Sequence, residues 1–255
     1  MKRTRRLLAT AAAIFTLSAV SAANAQISDN VVKLGVLNDQ SGPYVDLAGP
    51  GSVLATQMAA EDFGGTVLGA KIEVVSADHQ NKPDIGSAVV RRWYDEQQVD
   101  AIIDVPTSSV AMAVQEITKQ KERVFLISGA ASEALSNKAC SPFAIQTSDD
   151  TYALTVGTTK AIVENGGNTW FFLTADYVFG HLIEEQSRKL IESMGGKVLG
   201  AVRNPQNTAD FANFLLQAKQ SGAKVIGLAN AGNDTINAIR QAGEFGLLAG
   251  GQQMA

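Results

Sequence analysis

The chain has 255 residues, of which 45% are hydrophobic, and its 21 basic and 25 acidic residues give a formal net charge of −4. This acidic balance argues against nucleic acid and anionic membrane surfaces as partners. The single cysteine, Cys140, excludes an internal disulfide bond, so we expect the fold to depend on an ordinary packed core.

The first 25 residues have the order of regions that is typical of a secretory signal peptide. Four basic residues among the first six precede an apolar run over residues 7–20, and small residues lead up to Ala25. The apolar run is short for a membrane span. We therefore predict export, with a signal peptide over residues 1–25 that is cleaved after Ala25. The alternative is an uncleaved membrane anchor.

Beyond the leader, short apolar runs alternate with helical patterns. The runs are rich in Val, Ile, Leu and Phe, which is typical of strands buried on both faces of a parallel sheet. The predicted strands cover residues 31–37, 71–77, 101–105, 123–128, 169–174, 197–202 and 224–229. This regular alternation predicts an α/β fold with parallel sheets flanked by helices in three layers.

Three helices are predicted from apolar stripes and from the residues that bound them. Residues 151–164 follow Asp149 and Asp150, either of which can cap the helix, and they end before Gly166. A stripe over residues 179–194 stops at Gly195, and a stripe over residues 211–218 ends before Gly222. Glycine after the last apolar position is a common helix stop.

The segment 138–150 interrupts the alternation. It holds Pro142 and only a short apolar run at residues 143–145. We interpret it as a crossover between an N-terminal lobe, residues 26–147, and a C-terminal lobe, residues 148–255. The alternative is a long loop inside one domain.

A loop with two serines follows the third predicted strand and is a candidate anion site. Thr107, Ser108 and Ser109 open a helix, and the first turn of a helix carries unpaired N–H groups and partial positive charge. The serine hydroxyls add donors, so the loop is suited to a carboxylate. The alternative is that Ser108 simply caps the helix.

Further loops occupy corresponding positions after neighbouring strands, where open α/β sheets bind ligands. Residues 128–132 are small and offer the hydroxyl of Ser132, which can alternatively cap the next helix. In the second lobe, Asp176 and Tyr177 can add polar contacts, and Asn230 lies in a further loop of this kind.

The order and spacing of several motifs resemble periplasmic binding proteins of the leucine/isoleucine/valine-binding family, which serve ABC transporters. The matching motifs are Ser41-Gly42-Pro43, Asp78, the loops 106–109 and 128–132, Tyr177-x-Phe179-Gly180, and Ile239-Arg240-Gln241-Ala242 ahead of Gly246-Leu247. The resemblance implies a two-lobed type I fold, hinged like a flytrap, with a small ligand in the cleft. It also implies a periplasmic location.

The resemblance assigns roles to individual residues. The loop of Ser108 and Ser109 matches the family's carboxylate-binding loop, and the next loop matches one that offers a carbonyl, here at Ala130, and a hydroxyl, here at Ser132. Phe179 matches an aromatic residue over the apolar part of the ligand; the alternative is a core position.

The chain also departs from leucine-type members of the family. They carry tyrosines at the positions of Leu47 and Ala231, and Tyr44 and Tyr152 are our candidates to compensate. Leucine-type members have a disulfide whose two positions are taken here by Asn81 and Thr107, so the resemblance implies that this link is absent.

Sequence motifs of catalysis are lacking. The two histidines, His79 and His181, belong to no metal-protease or nucleophile-elbow motif. A triad of His79, Asp78 and a loop serine is the alternative, although adjacent residues rarely orient each other in this way. We therefore predict a binding protein rather than an enzyme, with no cofactor and no metal.

These observations lead to one functional hypothesis. The protein captures a small carboxylate, either a branched-chain amino acid or an aromatic or aliphatic acid, and delivers it to an inner-membrane ABC permease. We expect a monomer that binds no nucleic acid. The alternative is a ligand-sensing protein that presents the same ligand to a receptor. Because family members usually continue further, we also expect the second lobe to be incomplete.

Overall fold

A computed structural model describes residues 29–255, so the predicted signal peptide and its cleavage site lie outside the described residues. The strands form two sheets. The first contains β1 (Val31–Asn38), β2 (Thr66–Val67), β3 (Ala70–Asp78), β4 (Ala101–Asp104), β5 (Val124–Ile127) and β6 (Ala144–Gln146), in the order β2-β3-β1-β4-β5-β6. The second contains β7 (Thr169–Ala175), β8 (Lys197–Asn204), β9 (Val225–Ala229) and β10 (Gln253–Met254), in the order β10-β9-β7-β8.

All strand pairs are parallel except β2 with β3. The helices are α1 (Val45–Ala48), α2 (Pro50–Asp62), α3 (Pro83–Glu96), α4 (Ser108–Gln120), α5 (Thr151–Glu164), α6 (Val178–Ser193), α7 (Ala212–Gln220) and α8 (Asn233–Glu244). A short 3₁₀ helix, Glu133–Leu135, follows β5. The predicted α/β class with helices on parallel sheets is therefore confirmed.

The seven predicted strands all form, within a few residues of their expected ends, and three short strands were missed. One of these, β6, lies inside the segment predicted as a crossover and pairs with β5 at the edge of the first sheet. Three residues are too few to produce a periodic pattern. The division of the chain at residues 147 and 148 stays a prediction, although β6 ends at Gln146 and the next element, α5, begins at Thr151.

Each sheet has a core of its own. In the first, α3 and α4 pack on one face through residues such as Trp93, Val114 and Ile102. In the second, α7 and α8 pack on one face around Phe211 and Leu215. Because each apolar face is covered by helices from the same half of the chain, each half forms a lobe with its own core.

The two lobes meet where their strands end. The turn after β1 approaches the loop after β9, and the N–H of Asn233 donates to the carbonyl of Pro43 at 3.1 Å. Since β1, β4 and β5 are parallel, their following loops gather at the same edge of the first sheet. Within residues 29–255, no helix is long and apolar enough to cross a membrane.

Candidate functional site

Helix α4, which follows the loop after β4, has an N-terminus without a side-chain cap. Thr107 is the N-cap residue, but no side chain accepts a hydrogen bond from the first turn of α4. Ser108 is 2% exposed and begins the helix itself, so the alternative that it caps α4 is wrong. The first-turn N–H groups, together with the hydroxyls of Ser108 and Ser109, therefore provide donors suited to an anion.

The backbone leading into this loop is strained. Asp104 and Val105 have φ angles of 83° and 57°, and a β-branched residue rarely adopts such a value. Asp104 is buried, and its carboxylate accepts hydrogen bonds from Ser128 at 3.0 Å and from Asn38 at 3.3 Å. Burial raises the pKa of Asp104. This carboxylate ties together the ends of β1, β4 and β5, and sequence reasoning missed it because its partners are distant in the chain.

The next loop uses its polar groups within the protein. The hydroxyl of Ser132 accepts from the N–H of Ala134 at 3.3 Å, which is the capping role given above as the alternative. The carbonyl of Ala130 accepts from Ser148 at 2.9 Å and from Gln146 at 3.0 Å. A carbonyl has two lone pairs, so these donors satisfy it. Ligand contacts by Ala130 and Ser132 stay a prediction.

The loop after β7 brings aromatic residues to the edge of the second sheet. Tyr177 is buried and Phe179 is half-buried, with their ring centroids 6.0 Å apart. Asp176 instead lies at the surface, where its carboxylate is 2.8 Å from Nε2 of His181. The carboxylate of Asp176 is therefore paired with His181 at the surface.

Asn230 follows β9 and is 7% exposed. Its Oδ1 accepts from the hydroxyl of Thr235 at 2.7 Å, whereas its Nδ2 finds no hydrogen-bond partner among residues 29–255. A buried amide donor without a partner is costly. Asn230 therefore has a buried amide donor that is free to bind a ligand.

The two tyrosines proposed to compensate for Leu47 and Ala231 behave differently. Tyr44 is 4% exposed and packs in one cluster with Tyr177 and Ala231 of the second lobe, and its hydroxyl is hydrogen-bonded to that of Tyr177. Tyr152 is 60% exposed at the start of α5 and lies outside this cluster. Only Tyr44 therefore lies among the aromatic residues between the lobes.

The side chains of Tyr44 and Tyr177 stay uncharged at neutral pH. Burial raises the pKa of Tyr44 to about 12, and burial raises the pKa of Tyr177 well above its usual range. Asp234, in the first turn of α8, also has a pKa raised by burial, to about 6. At neutral pH the two tyrosines are thus uncharged, whereas a carboxyl group with a pKa of about 6 is mostly ionised.

The turn after β1 is held by a second buried carboxylate that the sequence did not reveal. Asp39 accepts the N–H groups of Gly42 and Tyr44, each at 2.8 Å, and Nδ2 of Asn81 at 2.6 Å. The hydroxyl of Thr107 in turn donates to Oδ1 of Asn81. The two positions that lack the family's disulfide are thus joined by a hydrogen bond, and Cys140 is free and exposed.

Asp78 and His79 do not form the catalytic triad that was considered as an alternative. The carboxylate of Asp78 accepts hydrogen bonds from the hydroxyl of Ser41 at 2.6 Å and from the N–H groups of Gln40 and Gln80. His79 is fully buried, with Nδ1 accepting from the N–H of Asn81. Burial lowers its pKa to about 4. In the described part of the chain, no group of three or more His, Cys, Asp or Glu residues could hold a metal ion.

Comparison with known proteins identifies the family of this two-lobed architecture. A family profile described as periplasmic binding protein matches residues 31–255. The chain belongs to this family. It is a family of solute-binding proteins rather than of enzymes, and membership implies a periplasmic location.

Individual relatives agree with this assignment. The chain is 28% identical, over 252 residues, to a Leu/Ile/Val-binding protein homolog of Brucella melitensis, covering 98% of this chain. The structure of a Burkholderia mallei periplasmic binding protein is similar with a TM-score of 0.85 and 44% identity over 89% of this chain. An R. palustris solute-binding protein in complex with 4-hydroxybenzoate gives a TM-score of 0.80 and 27% identity over 88% of this chain.

The chain spans only part of the length of these relatives. It covers 63% of the Brucella protein, 60% of the Burkholderia structure and 61% of the R. palustris structure. The type I periplasmic binding fold with parallel sheets flanked by helices is therefore shared over the portion that is matched.

Proposed function

We propose that the protein is the solute-binding component of an ABC transporter and captures a small carboxylate between its lobes. The observation that carries the proposal is the uncapped N-terminus of α4, where Ser108 and Ser109 add hydroxyl donors. A carboxylate there gains charge-assisted hydrogen bonds and the favourable end of the helix dipole. Membership of the periplasmic binding protein family supports the further proposal that the ligand is delivered to an inner-membrane permease.

The remainder of the ligand is proposed to carry no second negative charge. The second lobe contributes Tyr177 and Phe179 to the apolar cluster between the lobes, and Tyr44 belongs to the same cluster. Both tyrosines are neutral, and the carboxylate of Asp234 raises their pKa values further. Such surroundings disfavour a second anionic group.

The relatives support two classes of ligand for this proposal. One is described as a homolog of a Leu/Ile/Val-binding protein, and another was solved with 4-hydroxybenzoate. Both classes of molecule carry one carboxylate and an apolar body. We favour an aromatic or aliphatic acid, because Ala130, whose carbonyl the family resemblance gives to the ligand, already has two donors within the protein.

The test is a thermal-shift titration of the protein with benzoate, 4-hydroxybenzoate and leucine. A ligand at 100 times its dissociation constant adds about 2.7 kcal/mol to the free energy of unfolding, so we expect a clear rise in melting temperature with at least one acid. A folded protein whose melting temperature is unchanged by all three acids would contradict the proposal.

The residues are tested by the double variant Ser108→Ala with Ser109→Ala. Hydrogen bonds to a charged group contribute about 1.5–3 kcal/mol each, so we expect affinity for the responding acid to fall by roughly tenfold or more. Ser136→Ala, at an exposed serine of the same lobe, is the matched control. Unchanged affinity in the double variant would place the anion site elsewhere.

A further inference from the structure

Tyr44 belongs to the first lobe by sequence but is buried by the second. It follows the turn after β1, yet it belongs to one apolar cluster with Ala175, Tyr177, Phe179 and Ala231, which lie at or shortly after the ends of β7 and β9. Its hydroxyl is bonded to the hydroxyl of Tyr177. The side chain is 4% exposed, and residues of the second lobe contribute to its burial.

The backbone of the second lobe is shaped to receive this turn. Gly232 has a φ of 61°, and a Cβ on it would lie 2.5 Å from the carbonyl oxygen of Pro43 and 3.1 Å from the ring of Tyr44. Its neighbour Asn233 donates its N–H to the same carbonyl at 3.1 Å. Any side chain at position 232 would therefore hold the lobes further apart.

The turn is oriented from within its own lobe. The N–H of Tyr44 donates to Asp39, and Asp39 also accepts from Asn81. Asn81 accepts from Thr107, the N-cap residue of α4. A chain of hydrogen bonds thus connects the contact at Tyr44 with the loop proposed to bind the carboxylate.

We infer that Tyr44 and Gly232 are positioning residues that set how closely the two lobes approach each other. Tyr44 supplies the contact surface and Gly232 permits the backbone approach. Its consequence for affinity rests on the proposed function, because a ligand held between the lobes binds the closed arrangement of the lobes. A variant that favours the open arrangement then lowers the apparent affinity in proportion to the closed fraction that it loses.

The first experiment measures lobe separation without any ligand. One fluorophore is placed on Cys140, which is exposed in the first lobe, and the other on a cysteine introduced by Glu192→Cys at the exposed end of α6. We expect Tyr44→Ala and Gly232→Ala to raise the ratio of open to closed molecules by roughly tenfold, seen as reduced energy transfer. Tyr44→Phe removes only the hydroxyl contact, so a smaller change in the same direction is expected.

Two controls separate closure from general damage. Gly246→Ala changes another glycine with positive φ, 67°, whose added Cβ meets nothing within 4 Å. Tyr152→Ala removes an exposed tyrosine. Both should keep the energy transfer of the parent protein. The inference is overturned if Tyr44→Ala and Tyr44→Phe keep it as well, or if the controls reduce it equally. The Tyr44 variants decide the matter even where Gly232→Ala prevents folding.

The second experiment is a titration of the same labelled proteins with benzoate. We expect Tyr44→Ala to bind about tenfold more weakly than the parent protein, while circular dichroism shows an unchanged fold. If the parent protein ignores benzoate and every other acid tested, the proposed function fails. The energy-transfer result without ligand still decides the closure inference. Unequal lobe separation with equal affinity would support the positioning role and contradict its expected consequence for affinity.

Discussion

His79 is a buried imidazole that the fold keeps uncharged. Its ring is fully buried, Nδ1 is occupied by the N–H of Asn81, and Nε2 finds no partner among the described residues. Burial lowers its pKa from 6.5 to about 4, although the nearby carboxylates of Asp39 and Asp78 act in the opposite direction. The cause is desolvation, which penalises the charged form.

This shift predicts a loss of stability in mild acid. Below pH 6.5 His79 is protonated in the unfolded chain but stays neutral in the folded protein. The free energy of unfolding therefore falls between pH 6.5 and about 4, by about 3 kcal/mol in total. Asp234 opposes this, because its pKa is raised to about 6 and folding therefore favours its protonation. Denaturant unfolding of His79→Gln at pH 7 and pH 5 isolates the histidine. We expect a smaller acid loss than in the parent protein, with His181→Gln as an exposed control.

At the scale of the element, helix α5 shows how well a capping signal in the sequence predicts where a helix begins. The sequence predicted residues 151–164 and left Asp149 and Asp150 open as the cap. The structure has the helix at Thr151–Glu164, and Oδ1 of Asp150 accepts from the N–H of Ala153 at 2.8 Å. Helix α2 went unrecognised, since none of its residues is buried and it lacks an apolar stripe.

Asp150→Ala should therefore destabilise α5. Loss of an N-cap of this type costs about 1 kcal/mol, and no new contact compensates. Denaturant unfolding followed by circular dichroism measures the change. Asp149→Ala, one residue earlier and exposed, is the matched control and should stay close to the parent protein. Equal losses in both variants would indicate general electrostatics rather than capping.

At the scale of the whole molecule, the lobes have separate cores and a small shared contact. Residues such as Ile102 and Phe125 belong to the core of the first lobe, whereas Ile226 belongs to that of the second. The apolar cluster between the lobes contains Tyr44, Tyr177 and a few neighbours, and hydrogen bonds such as that from the N–H of Thr151 to the carbonyl of Ala131 add to it. Such a contact couples the two lobes weakly.

Core deletions should therefore act within one lobe. Ile102→Ala and Ile226→Ala each remove a fully buried side chain, at a cost of about 2–5 kcal/mol. Hydrogen exchange read by mass spectrometry should show lost protection in β1, β4 and β5 for the first variant and in β7 and β9 for the second. Loss of protection spread evenly over both sheets in either variant would show that the lobes unfold as one unit.

The sequence by itself determined the α/β class, the seven longer strands and the loops that carry Ser108 and Tyr177. These features depend on local periodicity and turn residues, which are written along the chain. Only the tertiary structure decided where the candidate site residues lie and which partners they have. Ser132 proved to cap a helix, Tyr152 lies at the surface, and the carboxylates of Asp39 and Asp104 join loops far apart in sequence. Such partners are brought together by sheet order and lobe contact, for which no local pattern codes.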